Sequence, residues 1–293
     1  MLSPHQLRWG VDQWVAYLKD KEIPVLPRTK AIFQDLANLP PEEKEQISAR
    51  DLANYVHVDP FFALKLLRRA ERRRSSRLGQ ETTTALAAIM QIGVKELLTI
   101  VSTSLVCDSE YLGCTDCESR ATMAASIARN WAMLRADISP DEVTLATLLS
   151  EIGELLMWYF AAELPLKSEE ELTSGKAFRS VQAQQQAVGF SFRQLTLSLA
   201  VSWELPVLIT QLIKGTDSPR ANVARISIDT ARHIVMDGHN PAIPADVVNI
   251  HNVLHGVTFE HLVQVLPIDD EYKATVLQAV SHEDNLVPDK YKL

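Results

Sequence analysis

Six arginines fall within ten residues, at Arg68, Arg69, Arg72, Arg73, Arg74 and Arg77, in a chain whose formal net charge is -8. On a helix Arg68 and Arg72 are i,i+4 neighbours, as are Arg69 and Arg73, so the run presents two adjacent columns of guanidinium forks. Planar, permanently charged forks suit phosphate or carboxylate recognition. Three readings follow: a solvated helix end paired internally with Glu71 or Glu81, a docking site for an acidic protein surface, or a seat for nucleotide or nucleic-acid phosphates. No aromatic residue interleaves the run, so the base-stacking platform that single strands use is missing.

Other reactive side chains are sparse. Cys114 and Cys117 form a Cys-x-x-Cys pair with Cys107 seven residues upstream of Cys114, but no histidine is close in sequence to complete a zinc set. A thioredoxin-type role needs a βαβ context that the sequence lacks, so the thiols read as incidental or redox-labile. His251 and His255 stand four apart and could share a helix face, with His261 beyond them; two imidazoles do not make a metal site, and a surface pair is expected. Neither a Gly-x-Ser-x-Gly elbow nor a glycine-rich phosphate loop occurs, and the chain has only 10 glycines to build one.

The elements that must position these groups are helical. Sustained period-2 alternation and hairpin dipeptides joining such runs are absent. Ala121, Ala124, Ala125, Ala128 and Trp131 make one helical stripe. Ser139-Pro140 with Glu142 predicts a capping box at the start of a buried helix that carries Leu145–Phe160, and Ser218-Pro219 repeats the cap-then-proline signal. Further helices are expected near residues 6–19, 27–38, 49–56, 60–69, 85–91, 94–105, 192–203, 207–213, 245–252, 259–266 and 270–280. Two polar stretches break the pattern, Cys107–Glu118 and Lys167–Lys176, the second read as an exposed loop or helix end. The fold class is therefore all-α, a two-lobed helical bundle divided near residue 112 into 1–111 and 112–293.

With 293 residues, 46% apolar and 23% charged, the chain has the composition of a folded globular protein of one or two units. Acidic residues outnumber lysine plus arginine by 37 to 29, which argues against coating nucleic acid or anionic membrane with the whole surface. No uninterrupted apolar run approaches the ~18 residues of a membrane span. The N-terminus lacks a signal-peptide pattern, and three cysteines cannot form a disulfide framework, so a cytoplasmic setting is expected.

Several segments, in order, resemble the HDOD domain, a bacterial relative of the HD-superfamily metal-dependent phosphohydrolases. They are Ile23–Leu36 (IPVLPRTKAIFQDL), Val56–Ala70 (VHVDPFFALKLLRRA), Thr84–Ile100 with its Ile-Gly turn, Leu145–Phe160, and Ala187–Ile213 with a Gly-Phe start and a Trp-x-Leu-Pro element. The resemblance spans about residues 20–238 and implies a second lobe that is a degenerate HD-like domain. Where the active enzymes carry the His-Asp pair, this chain has Ser150-Glu151. Further expected ligand positions hold Phe192, Thr216-Asp217 and Arg232, and no histidine stands near Ser119–Arg120. Glu151 and Asp217 are the ligand-capable side chains that remain. Glu71-Arg72-Arg73 also departs from the family, which usually has an Asn-Ser-Ala turn there.

What the resemblance implies is a non-catalytic bacterial signalling module that binds other proteins, without a cofactor or metal. The expected partner is a signalling protein with an acidic surface at Arg68–Arg77. The alternatives are a residual phosphohydrolase using Glu151 and Asp217, and a nucleic-acid-binding regulator using the arginines, which the acidic net charge disfavours.

Overall fold

A computed structural model describes residues 2–44, 46–74 and 81–284 of the protein. After a 3-10 turn at Gln6–Arg8, the first helices are α1 (Val11–Lys19), α2 (Pro27–Asn38), α3 (Pro41–Lys44), α4 (Ala49–Val56), α5 (Pro60–Arg73), α6 (Ala85–Ile92) and α7 (Val94–Thr103). Next come α8 (Leu112–Met133), α9 (Pro140–Leu149), α10 (Ile152–Ala161), α11 (Glu163–Thr173), α12 (Ser180–Val188), α13 (Phe192–Ser202) and α14 (Val207–Lys214). The chain closes with α15 (Pro219–Met236), α16 (Ile243–His251), α17 (Phe259–Gln264) and α18 (Asp270–Asp284). The fold is all-α; the described residues hold only one isolated β-bridge, Val25 to Val106.

Two apolar cores form. One runs from Trp14 to Ala221 and includes α5, α10 and α13, so it crosses residue 112, the N-terminal residue of α8. The other gathers Trp131, Val143, Ile226 and Val247 with the C-terminal helices. Helix α8 serves both, giving Cys117 and Ala121 to the first and Ala128 and Trp131 to the second. Pro140–Ala161 is long and apolar enough to cross a membrane by length and composition, but 72% of its most apolar window is buried inside the protein.

Local chemistry sets the helix ends. Asp59 is fully buried before Pro60 and caps α5 by accepting from Phe62 N at 2.9 Å. Its other oxygen accepts from Leu26 N at 2.8 Å and Thr29 Oγ1 at 2.6 Å, so one carboxylate fixes the starts of both α2 and α5. Burial pushes its pKa up, opposed by these three donors and by Arg28. Between α6 and α7 the chain bends by 100° at Gly93, whose φ of 84° suits glycine. Ser218 caps α15 as expected, accepting from Ala221 N at 3.2 Å.

Three expectations need correction. Ser139 makes no side-chain cap, and the Glu142 carboxylate, the other half of the expected capping box, instead accepts from Thr83 and Arg220. The Leu145–Phe160 helix is two helices broken at Ser150–Glu151. Helix α8 already begins at Leu112, inside the polar Cys107–Glu118 stretch, because Cys114 and Cys117 are buried on one face while Thr115 and Asp116 stay exposed. Lys167–Lys176 is a helix end as expected, α11 closing at Thr173.

Replacing Asp59 by Ala orphans two backbone N–H groups and the Thr29 hydroxyl, and should lower unfolding stability by about 3 kcal/mol in urea titration. His57, the C-cap of α4, has a buried Nε2 without a hydrogen-bond partner, and burial, with Arg129 nearby, pulls its pKa down to about 4. The unfolded chain therefore takes up a proton between pH 6.5 and about 4 that the folded chain resists, so stability falls as pH drops through that window. Thermal melts of His57→Gln should show a flatter acid limb, by up to about 3 kcal/mol.

Candidate functional site

The break between α9 and α10 places the Ser150-Glu151 dipeptide against α8, α13 and α15. Thr196 of α13 holds the break open: its Oγ1 accepts from Gly153 N at 3.0 Å and lies 3.2 Å from Ser150 O and 3.1 Å from Phe192 O as a donor. That satisfies orphan groups from both helix ends at one point. The approach is so close that a Cβ on Gly153 would meet Phe192 O at 2.5 Å, so only glycine fits. Ser150 turns back to donate to Ala146 O at 2.9 Å.

Glu151 enters an ion network. Arg120 of α8 lies 2.9 Å from Glu151 Oε2 and 2.9 Å from Glu154 Oε1, bridging two acids one helical turn apart. Arg232 of α15 reaches Glu151 Oε1 at 3.3 Å, so each carboxylate oxygen faces a guanidinium. The Cys117 thiol donates to Oε2 at 3.7 Å. Burial opposes the charge on Arg120, but Glu154 and Glu151 outweigh it and raise its pKa above the ordinary arginine value. Phe192 is buried, its side chain packed against Phe190. Thr216 and Asp217 are exposed on the turn from α14 to α15 and form no hydrogen bond or ion pair with Glu151. The six sequence-nominated positions thus split: Arg232 pairs with Glu151, the backbone oxygens of Ser150 and Phe192 meet at Thr196, and Thr216 and Asp217 contact neither group.

The HDOD domain family profile matches residues 26–219, about two thirds of the chain. The chain belongs to the HDOD family. The fold is similar to that of a virulence factor from Campylobacter jejuni, at TM-score 0.68 and 16% identity, covering 90% of this chain and 98% of that one. It is also similar to the MmoQ response regulator of Methylococcus capsulatus strain Bath, at TM-score 0.64 and 17% identity, covering 85% and 99%. At such identities these likenesses carry the fold alone. No curated protein matches the sequence.

A divalent cation, as held by HD phosphohydrolases, does not fit the residues of this HDOD chain. Both oxygens of Glu151 are taken by guanidinium groups, and Arg232 brings positive charge to where a ligand would be needed. Among the described residues, no group of three His, Cys, Asp or Glu side chains is placed to hold a metal ion. The cysteines are free and buried; Cys107 and Cys114 hydrogen-bond each other, and burial pushes the Cys117 thiol up. Helix α16 ends at His251, so His251 and His255 do not share a helix face; His251 stacks on Phe259 instead, with ring centroids 4.2 Å apart.

Most of the arginine run is consumed internally. Arg69 and Arg73 of α5 both clasp Glu96 of α7, at 2.6 and 3.2 Å. Arg74 pairs with Glu71 at 3.2 Å, while Glu81 accepts from Val207 N and Leu208 N at the start of α14. Arg68 donates to Lys19 O at 3.0 Å and lies over the Trp203 ring at 4.6 Å. Arg72 is exposed and has no carboxylate partner among the described residues. Arg77 lies outside the described residues.

Sequence reasoning missed Arg120, Glu154 and Glu96. The signal for the first two was present: Arg120 directly precedes the alanine stripe of α8, and Glu151-x-x-Glu154 puts two acids on one face of an otherwise apolar helix. Substituting Glu151 by Gln leaves Arg120 and Arg232 facing each other without their shared anion and should cost about 3 kcal/mol of unfolding free energy. Arg232→Leu removes only a half-exposed partner and should cost under about 1 kcal/mol. Equal losses in both variants would overturn this account of the network.

Proposed function

We propose that this HDOD chain is a non-catalytic bacterial signal-transduction module of the cytoplasm that works by binding another protein. The observation that carries the reading is the network at Ser150-Glu151: the position where an HD enzyme activates water on a metal is filled by a carboxylate already neutralised by two guanidiniums. Family membership supports a signalling role, and the response-regulator name borne by one structural neighbour points the same way.

The partner proposed is a signalling protein with an acidic surface, meeting the exposed face of α5 at Arg72 and the neighbouring cations. Nucleic acid is the weaker candidate, because the net charge is -8 and most arginines of the run are already paired. Arg69 and Arg73 are poor probes of the contact, since reversing them also breaks the bridge to α7. Arg72 is the better one.

Two measurements test the reading. Incubation of the purified protein with manganese or magnesium should leave its melting temperature unchanged and release no phosphate from simple phosphomonoesters or nucleotides; turnover abolished by Glu151→Gln would reinstate the enzyme. Capture from native lysate should yield a stoichiometric partner that survives nuclease and is lost with Arg72→Glu. Retention that disappears on nuclease treatment and falls steeply with salt would favour the nucleic-acid regulator.

A further inference from the structure

Four cations of α5, Lys65, Arg68, Arg69 and Arg72, stand at i, i+3, i+4 and i+7, one stripe of a helix whose other faces carry buried Phe62, Leu66, Leu67 and Ala70. The stripe forms one wall of an open cleft of about 360 Å³; the turn after α1 (Asp20 to Ile23) forms the other, with Ile100 of α7 beside them. That volume is in the range of small-ligand sites.

The charges in the cleft do not balance. Lys21, Lys65, Arg68, Arg69 and Arg72 are five cations against two lining carboxylates, Asp20 and Glu22; Glu96, outside the cleft, is shared between Arg69 and Arg73, which leaves a surplus of at least two positive charges. The commitments differ as well. Lys65 is held by Glu22 at 2.5 Å and Ile23 O at 2.8 Å. Lys21 rests 4.2 Å from the centre of the Tyr17 ring, and Arg68 spends one N–H on Lys19 O, with no carboxylate pairing it. Among the described residues no carboxylate claims the Arg72 guanidinium fork. Burial, and then the charge of Arg72, pull Arg68 down to about 10, and Asp20 and Glu22 offset this only in part.

We propose that this cleft binds a phosphate monoester, with Arg72 and Arg68 as the forks and Lys21 facing them. A monoester carries about -1.5 to -2 charge near pH 7, which matches the surplus, whereas one carboxylate covers half of it. Its three terminal oxygens also offer acceptors to several N–H groups at once. The ester is a phosphorylated side chain on the acidic partner or a free small molecule acting as the input signal. In the first case the inference rests on the protein-binding reading and names the chemistry of its contact.

Calorimetric titration of the whole chain with O-phosphoserine and with adenosine monophosphate, against serine and adenosine, tests the site. Saturable binding of either ester, absent with its dephosphorylated control, is the expected result. Preference for phosphoserine identifies a partner's side chain, and preference for the nucleotide a free ligand. Arg72→Ala and, separately, Lys21→Ala should each weaken binding about tenfold or more, while Arg74→Ala, at the C-cap of α5 and paired to Glu71, should leave it unchanged. Matching melting temperatures of the variants and the parent keep the comparison fair. Absence of binding in the parent, equal affinity in Arg72→Ala, or equally tight binding of acetate overturns the proposal. Hydrolysis of a bound ester would overturn the non-catalytic reading and leave the site standing; an empty cleft in a chain that still captures its partner would remove the site alone.

Discussion

A carboxylate taken out of water must find positive charge, and where that charge comes from decides what this fold can do. Glu151 sits at the break between α9 and α10, ten per cent exposed, with α8 and α15 on either side. An exchangeable cation there would leave open coordination positions for water and substrate. Arg120 and Arg232 supply the charge instead, tethered to their helices, and every N–H they direct at Glu151 and Glu154 is a donor. A guanidinium has no vacant orbital with which to polarise water or phosphorus. The electrostatic demand is met within the chain, and the same ion pairs tie α8, α10 and α15 together.

Asp59 solves the matching problem in the other part of the molecule with neutral donors. Its carboxylate is more deeply buried than Glu151, and two backbone N–H groups and one hydroxyl converge on it. Those donors belong to the first turns of α2 and α5, so the partial positive charge of two helix N-termini adds to the hydrogen bonds. The orientation of α5 follows from this anchor at one end and from the Glu96 clasp on Arg69 and Arg73 at the other. Between those two fixed points the outward stripe of α5 has little freedom to turn its cations away from solvent.

The helices were legible in the sequence wherever a chemical signal coincided with a periodic one. Asp59-Pro60, Ser218-Pro219 and the Ile92-Gly93 turn each combine a cap or a glycine with an apolar stripe, and each marks a real boundary. The Ser150–Glu151 break was hidden because Leu145–Phe160 is apolar on nearly every face, and a pattern buried all round carries no phase by which a kink could be seen. Thr196, which holds that kink, lies more than forty residues away. The candidate site was half legible. Resemblance drew attention to Ser150, Glu151 and Arg232, but the Arg120 pairing with Glu151 and Glu154 depends on α8 crossing α10, a long-range fact that no local spacing encodes.

The arginine run shows why a dense motif need not be a uniform surface. Six neighbours of one residue type invite one role for all, yet a helix turns 100° per residue and distributes them among different neighbours. Arg69 and Arg73 point towards α7, Arg74 back to Glu71, and Arg68 across to the end of α1 and Trp203. These contacts hold α5 to the rest of the fold and use up most of the charge that made the run conspicuous. What is left concentrates at Arg72 and its neighbours over one cleft, where the cost of bringing like charges together has already been met by folding. In a protein of net charge -8 such a spot favours an incoming anion locally, and the packing of α5 keeps it there.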